Sequence, residues 1–146
     1  MFGEFVEEQF LLFVALVVVV LMLIYSYVGD KLAGFKTVSA DEAIRLYNDD
    51  AFVLDVRSSS EFKDGFIGEA TNVAVGDLAN NLNKLPSDKS KPILVYCLSG
   101  GRSARAAGTL VKNGYTEVSN LRGGITAWKA ANLPLNKQKS KKSRKK

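Results

Sequence analysis

The chain has no histidine, one cysteine and three prolines in 146 residues, and the first two shortages remove whole classes of chemistry. Without imidazole there is no Ser-His-Asp triad, no Cys-His protease pair and no histidine-ligated zinc site. With one cysteine there is no internal disulfide, no CxxC redox pair and no Cys-rich zinc or iron–sulfur cluster. A reactive group must be Cys97, a carboxylate, a lysine or an external cofactor. The length suits one domain of about 100 residues plus appendages.

Charge of one sign is missing from each end. The first 29 residues hold Glu4, Glu7 and Glu8 and no base, whereas Lys137, Lys139, Lys141, Lys142, Arg144, Lys145 and Lys146 supply seven of the 20 basic residues. Removing that tail leaves 13 basic against 15 acidic residues, so the formal charge of +5 is chiefly a tail. Between Lys31 and Leu135 the balance is an ordinary 13 basic to 11 acidic. Hydropathy is equally uneven. Phe10 to Val28 is a 19-residue run without a charge, and as a helix it spans roughly 28 Å, close to the hydrocarbon thickness of a bilayer. It has no polar face, and it lacks the basic start and small-residue cleavage site of a signal peptide. The sequence therefore predicts an acidic N-terminal tail at 1–9, a retained transmembrane helix at 10–28 and a linker at 29–37. Lys31 and Lys36 follow the span and no base precedes it, which predicts a single-pass protein of the inner or plasma membrane with its N-terminus outside and its domain in the cytoplasm.

The stretch 38–135 reads as alternating strands and helices. Ser39-Ala40-Asp41-Glu42 and Ser58-Ser59-Ser60-Glu61 are helix starts, and Phe52 to Val56, Ala70 to Val75, Pro92 to Tyr96 and Tyr115 to Leu121 are strand candidates. A weak helix is predicted from Asp77 to Leu85, a stronger one from Ser103 to Val111 and a last one from Ile125 to Ala131. This rhythm predicts an α/β fold with a mostly parallel sheet flanked by helices. In such sheets ligands bind at the carboxyl ends of the strands, where Asp55-Val56-Arg57 and Tyr96-Cys97 end two of them. Arg57 and Cys97 are therefore expected to meet at one crevice.

The run Cys97-Leu98-Ser99-Gly100-Gly101-Arg102-Ser103 carries its own physics. Two glycines allow a tight turn whose amide N–H groups can converge on an anion. The following helix adds its positive end and Arg102 a planar donor fork. A cysteine in such a cup has a lowered pKa without any histidine. The alternative is a strand-end cysteine buried as a small hydrophobe. Neither GxGxxG nor a P-loop lysine is present, which speaks against nucleotide binding. Asp49-Asp50 reads as a solvated turn and Trp128 as core, and no metal or cofactor is expected.

These blocks together resemble the rhodanese family of sulfurtransferases. The matching residues are Val53 to Arg57, Glu61-Phe62 with Gly65 and Ile67, Ala70 to Val73, Ile93 to Cys97 with Gly100, Arg102 and Ser103, and Leu121 to Ile125 with Trp128. They cover about Val38 to Leu135. Phe66 departs from the pattern, standing where family members often have histidine. Related phosphatases have one more residue between cysteine and arginine than the four seen here. The resemblance implies a persulfide at Cys97, formed from thiosulfate or another sulfane-sulfur donor and passed to cyanide, a thiol or a protein acceptor. It places Leu98, Ser99, Gly100, Gly101 and Arg102 around the sulfur, with Arg57 a second anion-binding residue and Asp55 and Ser103 as structural support. A membrane-tethered interaction module without catalysis is the other role such domains take.

The tail, 136–146, has no aliphatic or aromatic residue and is predicted to be disordered. Near an anionic leaflet its basic residues favour contact with lipid or a membrane protein; without interleaved aromatics it is a poor nucleic-acid binder.

Overall fold

The structure, a computed structural model, describes residues 2–139. They fall into two units, one ending at Ala33 and one beginning at Gly34. The first is helix α1, Phe2–Ala33, 32 residues long. Among the described residues it buries none of its apolar side chains: Phe10, Leu12, Leu16 and Leu23 are all at least 60% exposed. Among the described residues it is the one helix long and apolar enough to cross a membrane. The helix also takes in the acidic stretch predicted as a tail and five residues of the predicted linker. Glu4, Glu7, Glu8 and Gln9 are good helix formers, and acidic residues suit a helix start.

The second unit is built on a five-stranded sheet of order β1-β5-β4-β2-β3, all of whose strand pairs are parallel. The strands are β1 Lys36–Val38, β2 Phe52–Asp55, β3 Thr71–Asn72, β4 Ile93–Tyr96 and β5 Val118–Leu121. Between them lie α2 Ala40–Asn48, α3 Ser59–Asp64, α4 Gly101–Lys112 and α5 Gly124–Ala130. Caps set the helix starts. The Ser39 hydroxyl accepts from the Glu42 N–H at α2, and Ser58 and Glu61 form a reciprocal capping box at α3.

Three local features differ from the sequence expectation. Strand β1 begins in the predicted linker and ends at Val38; its three residues, two of them polar, carry no periodicity, and it forms by pairing Lys36, Thr37 and Val38 with Ser119, Asn120 and Leu121. The predicted helix at 77–85 is instead two 3₁₀ segments, Val75–Asn80 and Leu82–Lys84. Gly76, Asn80, Asn81 and Asn83 are poor α-helix formers, and Pro86 bars continuation. Asn136, placed by sequence in the tail, exchanges two backbone hydrogen bonds of 2.8 Å with Phe66. Residues 140–146, most of the expected tail, lie outside the described residues.

Strand pleating divides the core in two. Leu54, Val56, Ile93, Val95, Cys97 and Val118 pack with Ala106, Ala107 and Leu110 of α4. Val53, Leu94, Tyr96 and Leu121 pack on the other face with Ala43 of α2 and Ile125 and Trp128 of α5. Both faces of β4 are buried along its whole length, which accounts for its continuous apolar run. Cys97 continues this alternation and belongs to the α4 face.

Candidate active site

Cys97 ends the β4 run, and the chain turns through Leu98 and Ser99 to Gly100, the N-cap of α4. Gly100 has φ 112°, a left-handed value that favours glycine. Its N–H donates to Cys97 Sγ at 3.0 Å. Gly101 needs no such freedom: it is the first residue of α4, and a Cβ there would meet open space. Of the two glycines expected to shape the cup, one shapes it.

The back of the loop is held by the start of α5. The Ile125 N–H donates to the Cys97 carbonyl at 2.9 Å and the Thr126 N–H to the Leu98 carbonyl at 3.3 Å, with the Thr126 hydroxyl adding a bond of 3.0 Å to the latter. Because C=O and N–H of a trans peptide point oppositely, this turns the Leu98 and Ser99 N–H groups away from α5. The approach requires Gly124, whose φ is 56°; a Cβ there would collide with the Cys97 carbonyl and stand 2.6 Å from the carbonyl carbon of Leu98.

Burial pushes the Cys97 thiol pKa up, but hydrogen bonds from the Ser103 hydroxyl and from the Ser103, Gly100 and Ser99 N–H groups outweigh it, and the net direction is down. The Ser103 N–H is one of the first-turn donors that α4 leaves without an intrahelical acceptor. Ser103 Oγ lies 3.4 Å from Sγ, 3.1 Å from the Gly100 carbonyl and 2.5 Å from Asn120 Oδ1. One hydroxyl proton thus has three acceptors within reach, and ionisation of Cys97 makes sulfur a stronger competitor for it. From sequence Asn120 is legible only as one of two polar residues in the last strand; parity places it on the α4 face with Val118.

Arg57 does not join this cup. Asp55 lies beside Tyr96 in register, on the sheet face opposite Cys97, and Arg57 folds back onto that face. Its Nη2 donates to Asp55 Oδ2 at 2.7 Å and to the Gly65 carbonyl at 2.6 Å, and its Nε to both Asp55 oxygens at 3.1 and 3.2 Å. The guanidinium lies 5.6 Å from the centre of the Tyr96 ring. Arg57 is 4% exposed and Asp55 fully buried. Desolvation lowers the Arg57 pKa, but the Asp55 hydrogen bond and charge raise it further, keeping the guanidinium ionised. The expected anion-binding residue is therefore a brace. Asn72 extends it by donating Nδ2 to the carbonyls of Asp55 and Arg57, and the Tyr96 hydroxyl accepts from the Ile67 N–H at 3.0 Å.

Arg102 does stand at the loop, at the second position of α4. Its Nη1 and Nη2 donate to Glu61 Oε1 and Oε2 at 2.8 and 3.0 Å. The sequence marks Glu61 as a helix-cap residue and carries no signal of a partner 41 positions away. The Arg102 hydrogen bond, helped by Ser58 and opposed by burial, lowers the Glu61 pKa to about 2. The assembled site offers a lowered-pKa sulfur, a collar of peptide N–H groups and a paired arginine. It suits nucleophilic attack by sulfur with stabilisation of negative charge on the attached group.

Replacing Arg57 with leucine strands a buried carboxylate, so Arg57→Leu should lose about 3–5 kcal/mol in denaturant unfolding of the full chain in detergent. Adding Asp55→Asn should restore part of the loss. Unchanged stability in Arg57→Leu would contradict the brace.

Comparison with known proteins agrees with this geometry. The family model described as Rhodanese-like domain matches residues 39–131. An Escherichia coli (strain K12) protein, YibN, described as uncharacterized, is 35% identical over 124 residues, covering 84% of this chain and 85% of that protein. A Coxiella burnetii protein named thiosulfate sulfurtransferase GlpE is 36% identical over 97 residues, covering 66% of this chain and 89% of the relative. Among solved structures, a rhodanese-related protein from Thermoplasma volcanium superposes with TM-score 0.62 at 30% identity, covering 70% of this chain and 99% of that one. With a family match spanning most of the folded unit and these relatives alongside it, the chain belongs to the rhodanese-like family.

Proposed function

We propose that this protein is a membrane-anchored sulfurtransferase that carries sulfur as a persulfide on Cys97. The observation that supports it most is the Cys97 sulfur receiving the Gly100 N–H at 3.0 Å at the start of α4, with Ser103 beside it and no second cysteine in the chain. The Cys97 thiolate attacks the outer sulfur of a sulfane-sulfur donor, thiosulfate being the simplest. A new S–S bond forms at Cys97 as the donor's S–S bond breaks, and sulfite leaves with the bonding pair. The persulfide keeps one negative charge, which the Leu98 to Ser103 amides and the end of α4 stabilise. An acceptor thiolate or cyanide then attacks the outer sulfur and Cys97 leaves as thiolate. With no internal resolving cysteine, the sulfur must pass to another molecule.

Incubating purified full-length protein with thiosulfate or an organic thiosulfonate should add the mass of one sulfur atom, and Cys97→Ser should gain none. Absence of the gain with both donors on the wild type, or an equal gain on Cys97→Ser, would overturn the reading.

Helix α1 supplies the anchor, with the domain on the cytoplasmic side, as the acidic start and the following Lys31 and Lys36 favour. A Cys97→Ser chain carrying Lys139→Cys should react with a membrane-impermeant maleimide only after the cells are permeabilised. Labelling in intact cells would reverse the orientation.

A further inference from the structure

The Arg102 guanidinium, in the first turn of α4, is already engaged. Arg102 presents both terminal nitrogens to the two oxygens of Glu61 at 2.8 and 3.0 Å, an end-on pair that matches the planar fork to a carboxylate. The pair is open to solvent, with side chains 33% and 32% exposed, so it lines the approach to the cup rather than its floor. Glu61 does not depend on Arg102 for its place. Its Oε1 accepts from the Ser58 hydroxyl at 3.1 Å and from the Ser58 N–H at 3.3 Å, and its own N–H donates back to Ser58 Oγ. The α3 capping box therefore keeps a carboxylate in the position that an anionic substrate would take on the arginine. Hydrogen bonds from Arg102 and Ser58 hold it ionised across the neutral range.

A fixed negative charge at an approach route acts in proportion to the charge of what approaches. Resting on the sulfurtransferase reading above, we infer that Glu61 sets donor specificity: by occupying the Arg102 fork with a bound carboxylate, it disfavours dianionic donors such as thiosulfate relative to singly charged or neutral sulfane-sulfur donors. Arg102 then serves the persulfide and its acceptor more than the capture of a free oxyanion. The physiological donor class expected from this arrangement is an organic persulfide or thiosulfonate of low charge.

Two probes share the reaction and differ by one charge. Thiosulfate gives its outer sulfur to the Cys97 thiolate and leaves as sulfite; methanethiosulfonate does the same and leaves as methanesulfinate. Glu61→Gln keeps the side-chain shape and the cap, since glutamine also serves in a capping box, and removes only the charge. In full-length protein, Glu61→Gln should raise kcat/KM for thiosulfate about tenfold, the equivalent of ~1.4 kcal/mol. For methanethiosulfonate the rise should be about threefold, because half the charge is at stake. Glu61→Ala should move the ratio of the two constants in the same direction, so the outcome does not hang on one variant. An unchanged or lower thiosulfate-to-methanethiosulfonate ratio in both variants would overturn the inference and leave Glu61 as a prop for Arg102. Failure of wild type and variants alike to take sulfur from either probe would instead overturn the sulfurtransferase reading.

Discussion

The chemistry available at Cys97 depends on what holds the loop from behind. Two α5 amides and the Thr126 hydroxyl bind the carbonyls of Cys97 and Leu98, and peptide geometry then directs the following N–H groups the other way. Gly124 makes this contact possible, since any side chain there would strike the loop backbone. The final helix, far from the sulfur in sequence, thus orients one of the donors that lower the thiol pKa, the Ser99 N–H, while Gly100 and Ser103 supply the others. In a chain without histidine, these hydrogen-bond donors are what favour the thiolate.

The pleat of the sheet separates two jobs. On the α4 face, Cys97, Ser103 and Asn120 form a short polar cluster inside an otherwise apolar packing layer. On the opposite face, Asp55, Arg57, Tyr96 and the Gly65 carbonyl form a buried ionic brace at the end of β2. A buried ion pair of this kind offers little net stability over an apolar replacement, yet breaking one partner is costly. Its use here is geometric: it fixes the turn from β2 into α3, and α3 carries Glu61 to the mouth of the site. The brace and the reactive cup are connected through Ser58 and Glu61.

Much of this was readable from the chain alone. The parallel α/β architecture followed from strands alternating with capped helices, and the Cys97 loop from a strand, a cysteine, glycines and an arginine in order. The features that escaped were long-range or too short for periodicity. β1 exists through its register with β5 rather than through any pattern in Lys36-Thr37-Val38. Converging strand ends point Arg57 to the cup; the period of two in side-chain direction sends it to the other face. Glu61 reads locally as an N3 capping residue, and its pairing with Arg102 appears only when α3 and α4 are brought together. The second glycine of the loop looked necessary by composition, although only Gly100 takes a left-handed conformation.

The claim that backbone amides and Ser103 activate Cys97 without a base is tested most directly by the pH dependence of its alkylation in the full chain. Half-maximal reactivity with iodoacetamide should fall below the ordinary thiol value of ~8.5, and Ser103→Ala should move it upward. A midpoint at or above that value in the wild type, or one indifferent to Ser103→Ala, would contradict the account.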